Sequence, residues 1–259
     1  MLITCQNVSL GYEGQAVVRD LSFSVEGGDY LWVVGENGSG KTTLIKGILR
    51  LLNPIKGNIV YCEELAKGRI GYLSQQIVFK KDFPAGVYEI ILSGNLGAMG
   101  LRPFYNAGEK NRADQAMERL GITSLKKKCY RELSGGQQRR VLLARALCAA
   151  QAEPKSSAED GNLNKTSQLL LVLDEPAAGL DPLVTTEVYE LLKDLNRNTG
   201  VTIIMVSHDT RAAEQYANRI LHMENGQGFF FETADYLRSD KGRRFFGHAP
   251  PGKEKNDDN

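Results

Sequence analysis

The chain has 259 residues, 42% hydrophobic and 24% charged, and its 32 Lys plus Arg against 31 Asp plus Glu leave a formal net charge of +1. That length suits one large domain or two lobes, and the balanced charge gives no electrostatic footprint for nucleic acid. Cys5, Cys62, Cys129 and Cys148 show no CxxC spacing, which argues against a disulfide framework or a thiolate metal site and suits a reducing cytosol.

Residues 2–34 read as short alternating strands, including 3–8 and 21–25, and no signal peptide precedes them. Leu31-Trp32-Val33-Val34 is a buried strand, followed by Gly35-Glu36-Asn37-Gly38-Ser39-Gly40-Lys41-Thr42 and a helical stretch from Thr43. This is G-x-x-x-x-G-K-[ST] in the strand–loop–helix setting the motif requires. Glycines let the backbone curl and aim its N–H groups inward, and the following helix adds its positive end. Gly35, Asn37, Gly38, Ser39, Gly40, Lys41, Thr42 and Thr43 are therefore the expected contacts to the phosphates of a nucleoside triphosphate. Lys41 reaches the β- and γ-phosphates, and Thr42 ligates Mg²⁺.

Strands follow at 59–61 and 70–73, the second leading to Gln75. Residues 83–150 read as helical, with Ala113, Ala116, Met117 and Leu120 at i, i+3, i+4 and i+7. Lys126-Lys127-Lys128 and Arg139-Arg140 are short basic clusters that read as solvated faces. Residues 153–167 are polar, with Pro154 and Gly161, and read as a surface loop insertion.

Leu169-Leu170-Leu171-Val172-Leu173 is a strand buried on both faces. Asp174 at its end suits a Mg²⁺ partner, and Glu175 the carboxylate that orients and deprotonates an attacking water. Asp181-Pro182 reads as an N-cap and first helical position before a stripe of Val184, Val188, Leu191, Leu192 and Leu195. A further apolar run, Thr202-Ile203-Ile204-Met205-Val206, precedes His208, placed to hold the γ-phosphate and the water in line. The phosphate loop, Gln75, Asp174-Glu175 and His208 each follow a strand-length apolar run. Parallel strands would bring all four to one sheet edge, where open α/β sheets bind ligands. Phe229-Phe230-Phe231 is a late strand, and 246–259 a disordered tail. There is no internal repeat, and no apolar run approaches the ~20 residues of a membrane helix.

Leu133-Ser134-Gly135-Gly136-Gln137, extended by Gln138-Arg139-Arg140-Val141, resembles the signature of ATP-binding cassette (ABC) ATPases. Ser134 also reads as a helix N-cap. The resemblance spans about residues 2–225. It implies an α/β phosphate-loop NTPase fold with a parallel core sheet, an antiparallel β subdomain and a helical signature lobe. On that frame residues 1–245 form one domain. Its core occupies about 1–80 and 165–245, and its helical lobe about 81–150. It further implies that Ser134, Gly135, Gly136 and Gln137 complete the ATP site of a second subunit, so that two ATPs lie in a homodimer interface. Tyr12 matches the aromatic that stacks on adenine, Gln75 touches Mg²⁺ or the water and senses the partner, and Ala178-Gly179-Leu180-Asp181 resembles the D-loop, with Ala-Gly where Ser-Ala is common. The segment from Phe83 to Tyr105 resembles the permease-facing part of zinc- and manganese-importer subunits.

The expectation is an ATP- and Mg²⁺-dependent ATPase on the cytoplasmic face of the membrane. It would drive an integral-membrane permease, indirectly served by an extracytoplasmic substrate-binding protein, with no nucleic acid. An iron–sulfur assembly ATPase, or an importer subunit for another small solute, shares the nucleotide motifs. A chromosome or repair ATPase would need heptad arms in the ~90 residues between Lys41 and Ser134, and none is present.

Overall fold

The computed structural model describes residues 1–66, 70–75, 84–99, 101–151 and 169–247. Phe83, the 153–167 insertion, His248 and the rest of the tail lie outside the described residues. The strands among the described residues are β1 (Ile3–Tyr12), β2 (Gln15–Val25), β3 (Tyr30–Val34), β4 (Lys56–Tyr61), β5 (Ile70–Leu73), β6 (Leu170–Asp174), β7 (Thr202–Val206), β8 (Arg219–Glu224) and β9 (Gln227–Glu232). The described helices are α1 (Lys41–Ile48), α2 (Glu63–Ala66), α3 (Val87–Leu92), α4 (Leu96–Met99), α5 (Ala107–Arg119), α6 (Gly135–Ala150), α7 (Pro182–Thr199), α8 (Thr210–Tyr216), α9 (Thr233–Arg238) and α10 (Asp240–Phe246).

Two sheets result. A three-stranded antiparallel sheet has the order β2-β1-β4, and a six-stranded sheet the order β5-β6-β7-β3-β8-β9. Every neighbouring pair of the larger sheet is parallel except β8 and β9. The expected parallel core sheet therefore carries one antiparallel edge strand. The tight Asn225-Gly226 turn, with φ of 49° and 80°, reverses the chain there.

The apolar runs of the core strands have a simple cause: both faces are covered. Leu31, Val33, Leu170, Val172, Ile204 and Val206 pack with α1 and the inner face of the antiparallel sheet. Their alternating neighbours Trp32, Val34, Leu171, Leu173, Ile203 and Met205 pack against the helical side. Strand periodicity of two does this sorting, and each such side chain contributes about 1.5–3 kcal/mol of apolar burial. Trp32 is fully buried, stacked on Tyr30 and tilted against Tyr189.

Helices α3, α5 and α6 form the helical lobe on that second face. The stripe Ala113, Ala116, Met117 and Leu120 is fully inside, as its spacing predicts. In α7 the predicted stripe holds, with Val188, Leu192 and Leu195 buried and Val184 and Leu191 half-buried. Helix α10 reaches Phe246, whose ring packs on Tyr236, so the first residue of the expected tail belongs to the fold. No described helix is long and apolar enough to cross a membrane.

Strand order positions the site. From β3 the chain places β7, β6 and β5 on one side and β8 on the other. The order reverses at β3, whose carboxyl end runs straight into Gly35, and a crevice opens at that point.

Candidate active site

A cleft of about 260 Å³ opens there, lined by Asn37, Gly38, Gly40, Lys41, Thr42, Thr43, Gln75, Asp174, Glu175 and His208, with Val17 and Val206 as apolar walls. The four segments predicted to share one sheet edge do share it.

The loop is built on backbone that side chains resist. Gly35 has φ 142°, and a Cβ there would meet the Met223 carbonyl oxygen at 2.1 Å. Gly40 has φ 105° and is the N-cap of α1 without any side-chain capping bond. The first turn of α1 therefore presents its amides to the cleft, the arrangement that binds anions. The Lys41 ammonium donates to the Gly35 and Glu36 carbonyls at 2.7 and 2.8 Å. Two of its three protons are thus used to hold the loop, and one remains. Burial pushes its pKa down, and Glu175 and Asp174 oppose that shift. Ser39 Oγ is buried with no hydrogen-bond partner among the described residues. An uncapped helix start, a lysine and an orphaned hydroxyl on one loop fit a polyphosphate.

Opposite the loop, burial raises the pKa of Asp174, countered by Lys41. Glu175 is raised as well, by burial first and by Asp174, while His208 and Ser207 pull it down. Glu175 sits in the left-handed region at φ 48°, a conformation that costs an L-residue roughly 1–2 kcal/mol. Its N–H donates to the Val206 carbonyl at 2.9 Å. Its carboxylate Oε1 accepts the His208 N–H at 3.1 Å and lies 3.7 Å from His208 Nε2. A carboxylate of raised basicity, beside an exposed imidazole and facing a phosphate cradle, can take a proton from water attacking a γ-phosphate.

The other predicted residues lie around this cleft. Tyr12 ends β1, 45% exposed, and its hydroxyl accepts from Lys46 Nζ at 3.1 Å one turn beyond Thr43. Ser134, Gly135, Gly136 and Gln137 do not line the cleft. They begin α6 on the surface, where Ser134 Oγ accepts the Gln137 N–H at 3.4 Å and Gln137 Oε1 the Ser134 N–H at 3.2 Å. The capping role of Ser134 is met within the chain, and the start of α6 still faces outward. A second cavity, about 560 Å³, flanks the loop between residues 36–39 and α10; none of Lys41, Asp174, Glu175 or His208 lines it. His222, on its wall, is held by the Tyr236 hydroxyl at 2.6 Å.

The ABC transporter family model matches residues 18–152. The zinc uptake system ATP-binding protein ZurA of Listeria innocua is 35% identical over 226 residues, covering 85% of this chain and 81% of its own length. The chain belongs to the ABC transporter family. It is an ABC-type ATPase, which binds and hydrolyses ATP. An AAA domain model also matches residues 100–214, a stretch without the phosphate loop. Further relatives are the manganese transport system ATP-binding protein MntB of Bacillus subtilis, 33% identical over 85% of this chain and 82% of its own length. The zinc transport system ATP-binding protein AdcC of Streptococcus pneumoniae is 31% identical over 87% and 91%. A solved structure described as an inward-facing ABC transporter of metal-chelate type superposes with TM-score 0.78 at 28% identity, over 95% of this chain and 89% of that one. The ABC subunit cbiO1 of Clostridium perfringens superposes with TM-score 0.73 at 26% identity, over 94% and 93%.

Two parts of this ABC ATPase escaped the sequence reading. Arg139 is not on a solvated face: it is buried, and its Nη2 donates to the carbonyls of Glu175 and Ala178, each at 3.4 Å. Arg140, its neighbour, is half-exposed and pairs with Glu187 at 2.9 Å. Lys126 likewise pairs with Asp114. The second is Ser207, buried behind Glu175. Its hydroxyl meets the Tyr189 hydroxyl at 3.3 Å and accepts the Asp209 N–H at 3.2 Å, and it helps hold down the Glu175 pKa that burial raises. The Trp32 indole N–H donates to the Ser207 carbonyl at 3.3 Å. The position of Ser207 directly before His208 was the only signal available.

Proposed function

We propose that this chain is the ATPase subunit of an ABC importer for divalent metal ions, zinc or manganese. It acts as a homodimer on the cytoplasmic face of the membrane, beneath a separate integral-membrane permease that receives cargo from an extracytoplasmic binding protein. The observation that carries the cargo class is the likeness to ZurA, AdcC and MntB, which extends over more than four-fifths of both chains in each case. The docking surface is read from the helical lobe. Leu101 and Phe104 are exposed at 102% and 81%, and Leu96 at 57%, in the segment that resembles the permease-facing part of metal-importer subunits. Unpartnered apolar side chains so close together suit a partner chain.

In this reading residues 1–246 form one ABC domain, and Tyr12 stacks on the adenine. Gly35, Asn37, Gly38, Ser39, Gly40, Lys41, Thr42 and Thr43 hold the phosphates, with Lys41 on the β- and γ-phosphates. Mg²⁺, when bound, would be held by Thr42, Asp174 and Gln75 and would neutralise charge on the β- and γ-phosphates. Glu175 takes the proton of the attacking water, and His208 keeps the water and γ-phosphate in line. Ser134, Gly135, Gly136 and Gln137 close the partner subunit's site through the positive end of α6.

The dimer reading is tested by mixing. Neither Ser134→Arg nor Lys41→Ala subunits alone can form a complete site. A mixed dimer holds one intact phosphate loop facing one intact signature, so ATPase activity should return on mixing. Heterodimers that form and stay inactive would count against it. For the cargo, deletion of the gene should impair growth under divalent-metal chelation, with zinc or manganese restoring it. Normal growth and metal content, in a strain without a redundant importer, would refute metal import and leave the ATPase standing.

A further inference from the structure

Arg139 lies within α6, just past the signature at that helix's start. It is a buried cation, and its hydrogen-bond partners among the described residues are main-chain carbonyls of a single loop, Glu175 and Ala178. A buried guanidinium so placed is a poor device for stability alone, because desolvation offsets much of what it gains. What it holds is specific. Glu175 is the non-glycine residue of that loop with a left-handed backbone. Its peptide is fixed on one side by its N–H to Val206 and on the other by Arg139. The second bond grips Ala178, directly before Gly179 at φ 76°. Around this clamp the signature packs tightly on the start of α7 and is in van der Waals contact with the loop. A Cβ on Gly136 would lie 2.6 Å from Val184 Cγ1, and one on Gly135 3.4 Å from Leu180 Cδ2.

We propose that Arg139 is a positioning residue for Glu175, locking the Glu175 peptide in its strained conformation and tying it to the signature helix of the same subunit. The proposal rests on the dimer reading above in one respect. In that dimer the signature touches the partner's nucleotide while Glu175 serves the subunit's own. A shift of α6 on meeting the partner's ATP is then transmitted through the guanidinium to the Glu175 carboxylate. Arg139 links two sites without touching substrate in either.

The test uses the full chain with Arg139→Met and Arg139→Lys. Arg139→Met keeps an apolar stem and removes the donors. It should lower kcat by ~10-fold, with the MgATP dissociation constant, measured by a fluorescent analogue, within twofold of wild type. Arg139→Lys, which can still donate to one carbonyl, should recover part of the loss. An unchanged kcat in Arg139→Met would overturn the proposal, and so would a parallel loss of nucleotide affinity and kcat in both variants. Mixed dimers give the second readout. When Ser134→Arg chains meet Lys41→Ala chains, the one complete site takes its Glu175 from the Ser134→Arg chain. Arg139→Met should cost more rate in that chain than in the other, and the opposite order would refute it. If the unmodified mixture is inactive although heterodimers form, the dimer reading fails, while the homodimer comparison still decides whether Arg139 positions Glu175.

Discussion

Replacing Glu175 by Gln should leave MgATP bound and lower its hydrolysis by ~10²-fold or more, with an ATP-loaded dimer accumulating. The amide keeps an oxygen to accept the His208 N–H that now reaches Glu175 Oε1 at 3.1 Å. It cannot accept a proton from water. Turnover of radiolabelled ATP, with size-exclusion chromatography in ATP and Mg²⁺, reads both consequences. Hydrolysis at the native rate would show that Glu175 is not the base.

The same substitution has an expected stability effect of definite sign. Burial raises the Glu175 pKa above its ordinary value. The folded chain therefore holds this proton at pH values where the unfolded chain has released it. The contribution of the group to stability is greatest below that window and falls as pH rises through the folded pKa. At neutral pH the buried charge is a standing cost, and Gln removes it. The thermal midpoint of the Glu175→Gln protein should exceed that of wild type at pH 7, and the gap should close on acidification below the ordinary carboxylate range. For the same reason, wild-type hydrolysis should begin to fall on the acid side at a pH higher than an exposed glutamate would give.

Lys41→Ala should weaken MgATP binding by ~10²-fold or more, because a charge-assisted contact to two phosphates is lost in a half-buried cradle. A second effect follows from the two carbonyls that Lys41 braces, Gly35 and Glu36. Without them tied, the loop should open more readily, so the binding enthalpy should change along with the affinity. Calorimetric titration separates the two, and affinity unchanged from wild type would remove Lys41 from the phosphate site.

Much of this site is legible in the sequence. Strands 31–34, 70–73, 169–173 and 202–206 announce themselves as apolar runs because both faces of the core sheet are covered, and the chemistry-bearing residues follow them directly. Parallel pairing then converts sequence adjacency to strand ends into spatial adjacency in a cleft. What the pattern could not convey was direction and side. The antiparallel run of β9 leaves the same apolar signature as a parallel strand. Arg139 and Arg140 look alike as letters, yet neighbours on a helix point about 100° apart, so one reaches the Glu175–Ala178 loop while the other meets Glu187. Tyr189 belongs to the buried stripe of α7 by position, but its hydroxyl partner Ser207 lies 18 residues away, beyond any local spacing rule. The outward setting of the signature was implied by family resemblance alone, since a capped helix start looks the same whether it faces its own cleft or another.

Trp32 is the single tryptophan of the chain, and its indole N–H is anchored to the carbonyl of the residue between Val206 and His208. The molecule thereby carries an intrinsic fluorophore wired to the loop that touches Glu175, with no second tryptophan in the subunit to blur the signal. Emission from so dry and crowded a setting lies at short wavelength, and its intensity tracks the polarity and hydrogen bonding of that one loop. Rearrangement of that loop should thus be readable optically in the unlabelled wild-type protein, as a change in Trp32 emission.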